Sequence, residues 1–250
     1  MVIKSVTRSE TNAQRATNKL DIWAKINAFP FVRGCWRGDP QFVRAMFGGF
    51  WNFVNGFPQI IRDTYSSVPA GIDEKTRRFL ERSAHLLAGM LAGMESDERA
   101  HRALWLRAAR QAGLEERDLE SWELLPEVRQ IAETIGNEKD LYIRLLYFVS
   151  VELMAEGLSR ALADSPEFLK LMGMRGMAWF RAHLVHEHGA TTHEQLAYNL
   201  AGRIAHFQGR QSSEESMHEI VINGLLLFAR AANACGERFI DSRHYTAVLA

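Results

Sequence analysis

The 250-residue chain has only two cysteines, Cys35 and Cys235, and neither stands in a pattern that asks for a disulfide. A stapled secreted scaffold is thereby excluded, and a reduced, cytoplasmic setting is expected. Both cysteines read as small buried hydrophobes rather than nucleophiles. There is no excess of charge: 30 Lys and Arg balance 30 Asp and Glu. That argues against nucleic acid as the main partner, which calls for a basic surface. No apolar run reaches the roughly 18 residues of a membrane span, and the polar N-terminal stretch lacks the apolar middle of a secretory signal. Neither a membrane partner nor export is expected. No segment sustains the apolar–polar alternation of a half-buried strand. No internal repeat or low-complexity tract stands out.

What the sequence does hold is helical pattern. With 47% hydrophobic residues it can bury a substantial core. The expected architecture is all-α, one helical domain over residues 1–250 with about seven helices, residues 1–12 forming a flexible N-terminus. A weakly amphipathic stretch runs from Asn12 to Ala28, and "FPFVRGCWRGDP" then breaks the chain. Asp39-Pro40 makes a helix start, a capping carboxylate followed by proline. The apolar segment after it is expected to end or kink near Pro58. Asp73 is the next candidate cap, and Gly113 a candidate stop. Glu138 to Leu162 forms the most apolar helix. From Pro166 one long helical run is expected to reach Arg203, and the segment from Met217 to Phe239 gives the last helix.

Four of the nine histidines fall in "AHLVHEHGATTHEQ", residues 182–195. Histidine is the commonest metal ligand and the proton carrier of neutral pH. On a continuous helix, His183, His186, Glu187, Ala190 and His193 share one side, and only His188 points elsewhere. Metal chemistry also asks for carboxylates from other helices. Glu98 and His101 are three residues apart, which puts a carboxylate and an imidazole on one helix face. The competing reading is a salt-bridged surface, since Arg99, Arg102 and Arg107 crowd them. Glu152 lies mid-way along the most apolar helix, where a carboxylate must be paired, protonated or ligating. Its structural alternatives are ion pairs with Arg144 or Arg160, and Glu156 one turn later is placed to share its face. Phe50, Trp51, Phe53 and Phe57 are candidates for pocket wall or for plain core. Tyr142, Tyr147, Arg160 and Arg181 are candidate anchors for a substrate carboxylate.

Taken together, a Glu-x-x-His helix, a mid-helix glutamate some fifty residues on, and two histidines seven apart resemble the heme-oxygenase-like diiron oxidases and oxygenases. These are relatives of the TenA thiaminases and PQQ-synthase proteins. "FPFVRGCWRGDPQFVRAMFGGFWNFVNGFPQII", "DERAHRALWLRAARQAGLE" and "HEQLAYNLA" are similar to the family's opening, its acid–His segment and the end of its third ligand helix. The resemblance spans most of Phe29 to Ala232. It implies a single heme-oxygenase-like bundle. Glu98, His101 and His186 then resemble the ligands of a first iron, Glu152 the carboxylate between the irons, and His193 a ligand of the second. Glu98 and Glu152 are the carboxylates placed nearest the chemistry. The family's third helix reads His-x-x-x-Asp/Glu-x-x-His, whereas here Ala190 occupies the acidic position. His183 and Glu187 are the nearest replacements, and a mono-iron centre is the alternative to a di-iron one. Some members carry a glutamate seven residues before the first histidine; Met94 holds that position here, which favours Glu98.

The implied function is that of an oxidoreductase with biosynthetic role. It would use Fe(II), two ions per chain or Mn in their place, and O2 as co-substrate. Imidazole and carboxylate donors suit these ions. The substrate class implied is a small amino-acid-like or carboxylic-acid metabolite, with an external electron donor as a further partner and a homodimer as the common state of soluble enzymes. Three rivals stand beside it. One is a cofactor-independent enzyme of the TenA or PQQ-synthase kind. Another is a non-enzymatic helical binding protein. The last is a ferritin-like bundle using Glu215 and His218, which leaves the histidine cluster unused.

Overall fold

A computed structural model describes residues 21–67, 101–184, 192–211 and 213–249. The described residues are mainly helical, without strands, in about a dozen segments rather than about seven. In chain order these are α1 (21–28), α2 (Pro30–Trp36), α3 (Pro40–Gly49), α4 (Trp51–Ser67), α5 (101–111), α6 (Glu116–Glu120), α7 (Pro126–Asn137), α8 (Leu141–Ala163), α9 (Pro166–Gly176), α10 (Ala178–Leu184), α11 (His193–Phe207), α12 (Glu214–Phe239) and α13 (Ser242–Leu249). The predicted flexible N-terminus and the Asp73 cap lie outside the described residues.

Local chemistry explains most boundaries. Pro30, Pro40, Pro126 and Pro166 each occupy the first turn of a helix, where a missing N–H costs nothing. Asp39 accepts the backbone N–H of Gln41 at 2.9 Å and caps α3. Asp140 does the same for α8 through Tyr142 at 3.0 Å. Gly113 follows α5 with φ of 78°, a left-handed conformation that side-chain-bearing residues avoid.

Several sequence expectations need correction. "FPFVRGCW" is not a break but a short helix, begun by Pro30. Pro58 lies inside α4 without ending it; the break falls earlier, at Phe50. Between Gly113 and Glu138 lie two helices, α6 and α7, and α13 follows the predicted last helix. Most consequential, the run from Pro166 to Arg203 is not one helix. Gly173 takes φ of 58° inside α9, and the extended Thr192 starts α11 afresh, its side chain accepting the N–H of Gln195 at 3.1 Å.

α8 is the axis of the bundle. Leu145, Leu146, Phe148, Val149 and Val151 are buried around its circumference, the pattern of a helix covered on every face. α10, α11 and α12 pack on it, α7 packs on α4 and α12, and α3 joins α12 to α2. Ser150 ties α8 to α12, donating from Oγ to the Val221 carbonyl at 3.0 Å. The buried Arg144 gathers the carbonyls of Gly136 and Glu138 beyond the end of α7, and donates to Thr64 Oγ1 at 3.2 Å. A cation meeting the last carbonyls of a helix offsets their unmatched dipoles.

Candidate active site

Three helices and one helix start deliver polar groups to one buried place. His101 opens the described part of α5, Glu152 lies mid-α8, His183 is near the end of α10, and His193 is the first residue of α11. All four are buried, between 5% and 7% exposed. The His101 and His183 rings are 4.4 Å apart by centroid, and those of His101 and His193 are 6.2 Å apart. His193 Nδ1 stands 3.6 Å from Glu152 Oε1. That oxygen is fully enclosed and accepts no hydrogen bond from the described residues.

Both structural alternatives for Glu152 fail. Arg144 is committed to the α7 carbonyls. Arg160 donates to Glu156 at 3.0 Å and lies over the Trp23 ring. Glu156 is therefore part of that ion pair and not a second carboxylate of the cluster. A charged group in such surroundings calls for a partner. Here the groups around it are imidazoles.

His183 has a defined protonation state. Its Nδ1 is 2.9 Å from the Trp179 carbonyl. A carbonyl only accepts, so Nδ1 carries the proton and Nε2 keeps its lone pair. Burial, then the neighbouring His101, push its pKa down to about 3 against the opposing pull of Glu152 and the Trp179 carbonyl. The imidazole is thus neutral at any physiological pH. This is the arrangement that second-shell carbonyls give to ligating histidines.

The structure brings together His101, Glu152, His183 and His193 from the predicted set. Glu98, His186 and Glu187, with Ala190, lie outside the described residues. The shared stripe inferred from one continuous helix does not hold across the Thr192 cap. His183 and His193 both come beside His101 instead because α10 and α11 both pack on α8. As these side chains stand, no three of the described His, Cys, Asp or Glu residues converge tightly enough to enclose an ion. The donor types nonetheless fit one, three imidazoles beside a carboxylate oxygen with no hydrogen bond. Glu215, of the rival motif, is exposed in the first turn of α12, where an acid complements the helix dipole.

Beside the cluster lies a cavity of about 840 Å³, counting its opening. Phe50, Phe53 and Phe57 line it, as the first of their two sequence readings expects; Trp51 does not, being buried beneath the Arg102 guanidinium. None of Tyr142, Tyr147, Arg160 and Arg181 reaches the cavity. Tyr142 instead lies under Arg210, and Arg181 contacts Met174 Sδ. Among the described lining residues the only ionisable ones are Glu152 and His183.

Sequence reasoning missed the two tryptophans of the wall. Trp105 stands four residues after His101, and Trp179 four before His183. That spacing puts each indole on the same helix face as its imidazole. The two indoles meet edge-on at 4.8 Å, and Trp179 lies 4.1 Å from the His183 ring. The spacing was the available signal.

This bundle has the heme-oxygenase-like fold. A TenA homolog from Pseudomonas syringae pv. tomato superposes with a TM-score of 0.67, covering 89% of this chain and 91% of its own at 13% identity. A domain of unknown function with a heme oxygenase-like fold, from Shewanella denitrificans, gives 0.60 over 94% of both chains at 14% identity. No protein-family model and no curated protein matches the chain. No described helix is long and apolar enough to cross a membrane.

Proposed function

We propose that the chain is a non-heme, iron-dependent oxidase or oxygenase that oxidises a small metabolite seated in the cavity. The observation that carries this reading is the meeting of His101, His183, His193 and Glu152 at the cavity's end, with a Glu152 oxygen enclosed and accepting no hydrogen bond. These four residues, with Glu98, His186 and Glu187 from the sequence, would hold iron or manganese, singly or as a pair. Held there, the metal would supply redox chemistry toward O2, with an external donor as the source of further electrons. The chain's own residues do the rest. Trp179 fixes the His183 tautomer through its carbonyl. The phenylalanine wall excludes water from the substrate. Glu152 and His183 are the ionisable groups that the described residues bring to the cavity lining.

A metal-free hydrolase of the TenA kind needs a cysteine nucleophile. Burial pushes the Cys35 thiol far up and the Cys235 thiol to about 12, and neither lines the cavity. A metal-free oxidase of the PQQ-synthase kind would use the histidines to move protons, and a non-enzymatic binding protein would need neither metal nor O2.

Anaerobic loading with ferrous iron, followed by desalting and metal analysis, tests the reading. About two irons per chain are expected for a di-iron site and about one for a mono-iron site. His101→Ala and His186→Ala should each abolish binding. Full activity with no iron retained would overturn the proposal.

A further inference from the structure

We propose that Met174 is a site of reversible oxidation by peroxide, and that Arg181 holds the sulfoxide so formed. The site lies outside the cavity and needs no metal.

The partner that Arg181 takes is the starting point. Its Nη2 donates to Met174 Sδ at 3.0 Å. A thioether sulfur is a weak acceptor, whereas a guanidinium is a permanently charged donor. The pair is mismatched as it stands. Met174 is also out of the ordinary in its setting. It is 71% exposed, while Met172 and Met177 in the same stretch are 0% and 1% exposed. It directly follows the Gly173 turn, where φ is 58°. It precedes Arg181 by seven residues, two helical turns, so the end of α9 and the middle of α10 bring the two side chains together.

Oxidation removes the mismatch. Hydrogen peroxide transfers one oxygen atom to a sulfur lone pair. The O–O bond breaks, water leaves, and the thioether gives up two electrons. The product is a polar side chain. Its oxygen is a far better acceptor than the sulfur was, and the bond from Arg181 becomes charge-assisted. Both side chains are exposed and can readjust to the added atom. A buried methionine loses its packing when it is oxidised, which disrupts the core around it. Met174 has little packing to lose, so the sign reverses and oxidation ties α9 to α10 more firmly. α10 carries Trp179 and His183, and the clasp therefore bears on a helix that reaches the candidate centre.

The test is dilute hydrogen peroxide on the metal-free protein in excess chelator, with peptide mass mapping and thermal unfolding of the same samples. Met174 should gain one oxygen about tenfold faster or more than Met172 and Met177. Wild-type Tm should rise by about 2 °C as it does so. Treatment with the two methionine sulfoxide reductases, one for each epimer, should reverse both changes. Met174→Leu should show no rise. Arg181→Leu should lose the rise although its Met174 is still oxidised. Oxidation of Met174 no faster than that of Met172 and Met177 overturns the proposal. So does a wild-type Tm that stays level or falls, and so does a rise that survives in either variant. The mapping and the wild-type Tm need no variant, so a misfolded Arg181→Leu protein does not shelter the idea.

Discussion

Replacing Glu152 with methionine should make the metal-free protein more stable while destroying its capacity to bind iron. Glu152 sits in the middle of α8, 7% exposed, among Phe148, Val149 and Val151. Its Oε1 accepts no hydrogen bond from the described residues, and His193 Nδ1 stands 3.6 Å away. An unsatisfied buried polar atom costs about 1–3 kcal/mol. Methionine fills nearly the same volume without that cost, and its flexible thioether suits an irregular space. Removing the carboxylate strands no charge, because an imidazole can give up its proton. A net gain of about 2 kcal/mol follows, which for a chain of this size raises Tm by roughly 4–8 °C. The assay is thermal and urea unfolding in excess chelator, wild type against Glu152→Met. With ferrous iron added, the order should reverse, since a ligand that binds only the folded state stabilises it and the variant binds none. A Glu152→Met protein less stable than wild type in chelator would refute the reasoning. It would show Glu152 to be a structural ion-pair partner rather than a functional group held at a cost.

Two further outcomes follow from the geometry. The folded-state pKa of His183 lies near 3, below the ordinary histidine value of 6.5. The unfolded chain therefore binds the extra proton between those values, and stability of the metal-free protein rises with pH across that window and levels off above it. His183→Phe should remove that part of the slope in urea titrations at stepped pH; an unchanged slope would mean that other groups carry it. Thr192→Ala removes the cap of α11 and should cost about 1 kcal/mol. Because His193 is the first residue of that helix, iron affinity should fall as well, whereas Ser213→Ala at the start of α12 should cost comparable stability and leave iron binding alone.

Much of the fold was legible because helix signals are local. Asp39-Pro40, Gly113 and the apolar run of α8 act through bonds and contacts within a few residues, and the structure uses each as its sequence suggests. So was the exceptional standing of Glu152, since a carboxylate amid apolar neighbours is costly in any fold. The misreadings share a cause. Periodicity assigns a common face only while the backbone stays helical. Gly173 and Thr192 interrupt it, and at Thr192 a side-chain bond to Gln195 makes a new start as favourable as continuing.

The sequence alone determined an all-α chain, its central helix and the residue types of a candidate centre. Tertiary structure decided which of those residues meet. His101, His183 and His193 come together because α5, α10 and α11 converge beside Glu152 on α8, with Trp105 and Trp179 meeting edge-on between helices. It also decided that the neighbouring space is lined mainly by hydrocarbon, because α2, α3, α4, α5, α8, α10 and α12 all turn apolar side chains toward one volume. No local pattern encodes which faces those will be. Packing sets them, and packing depends on the whole chain.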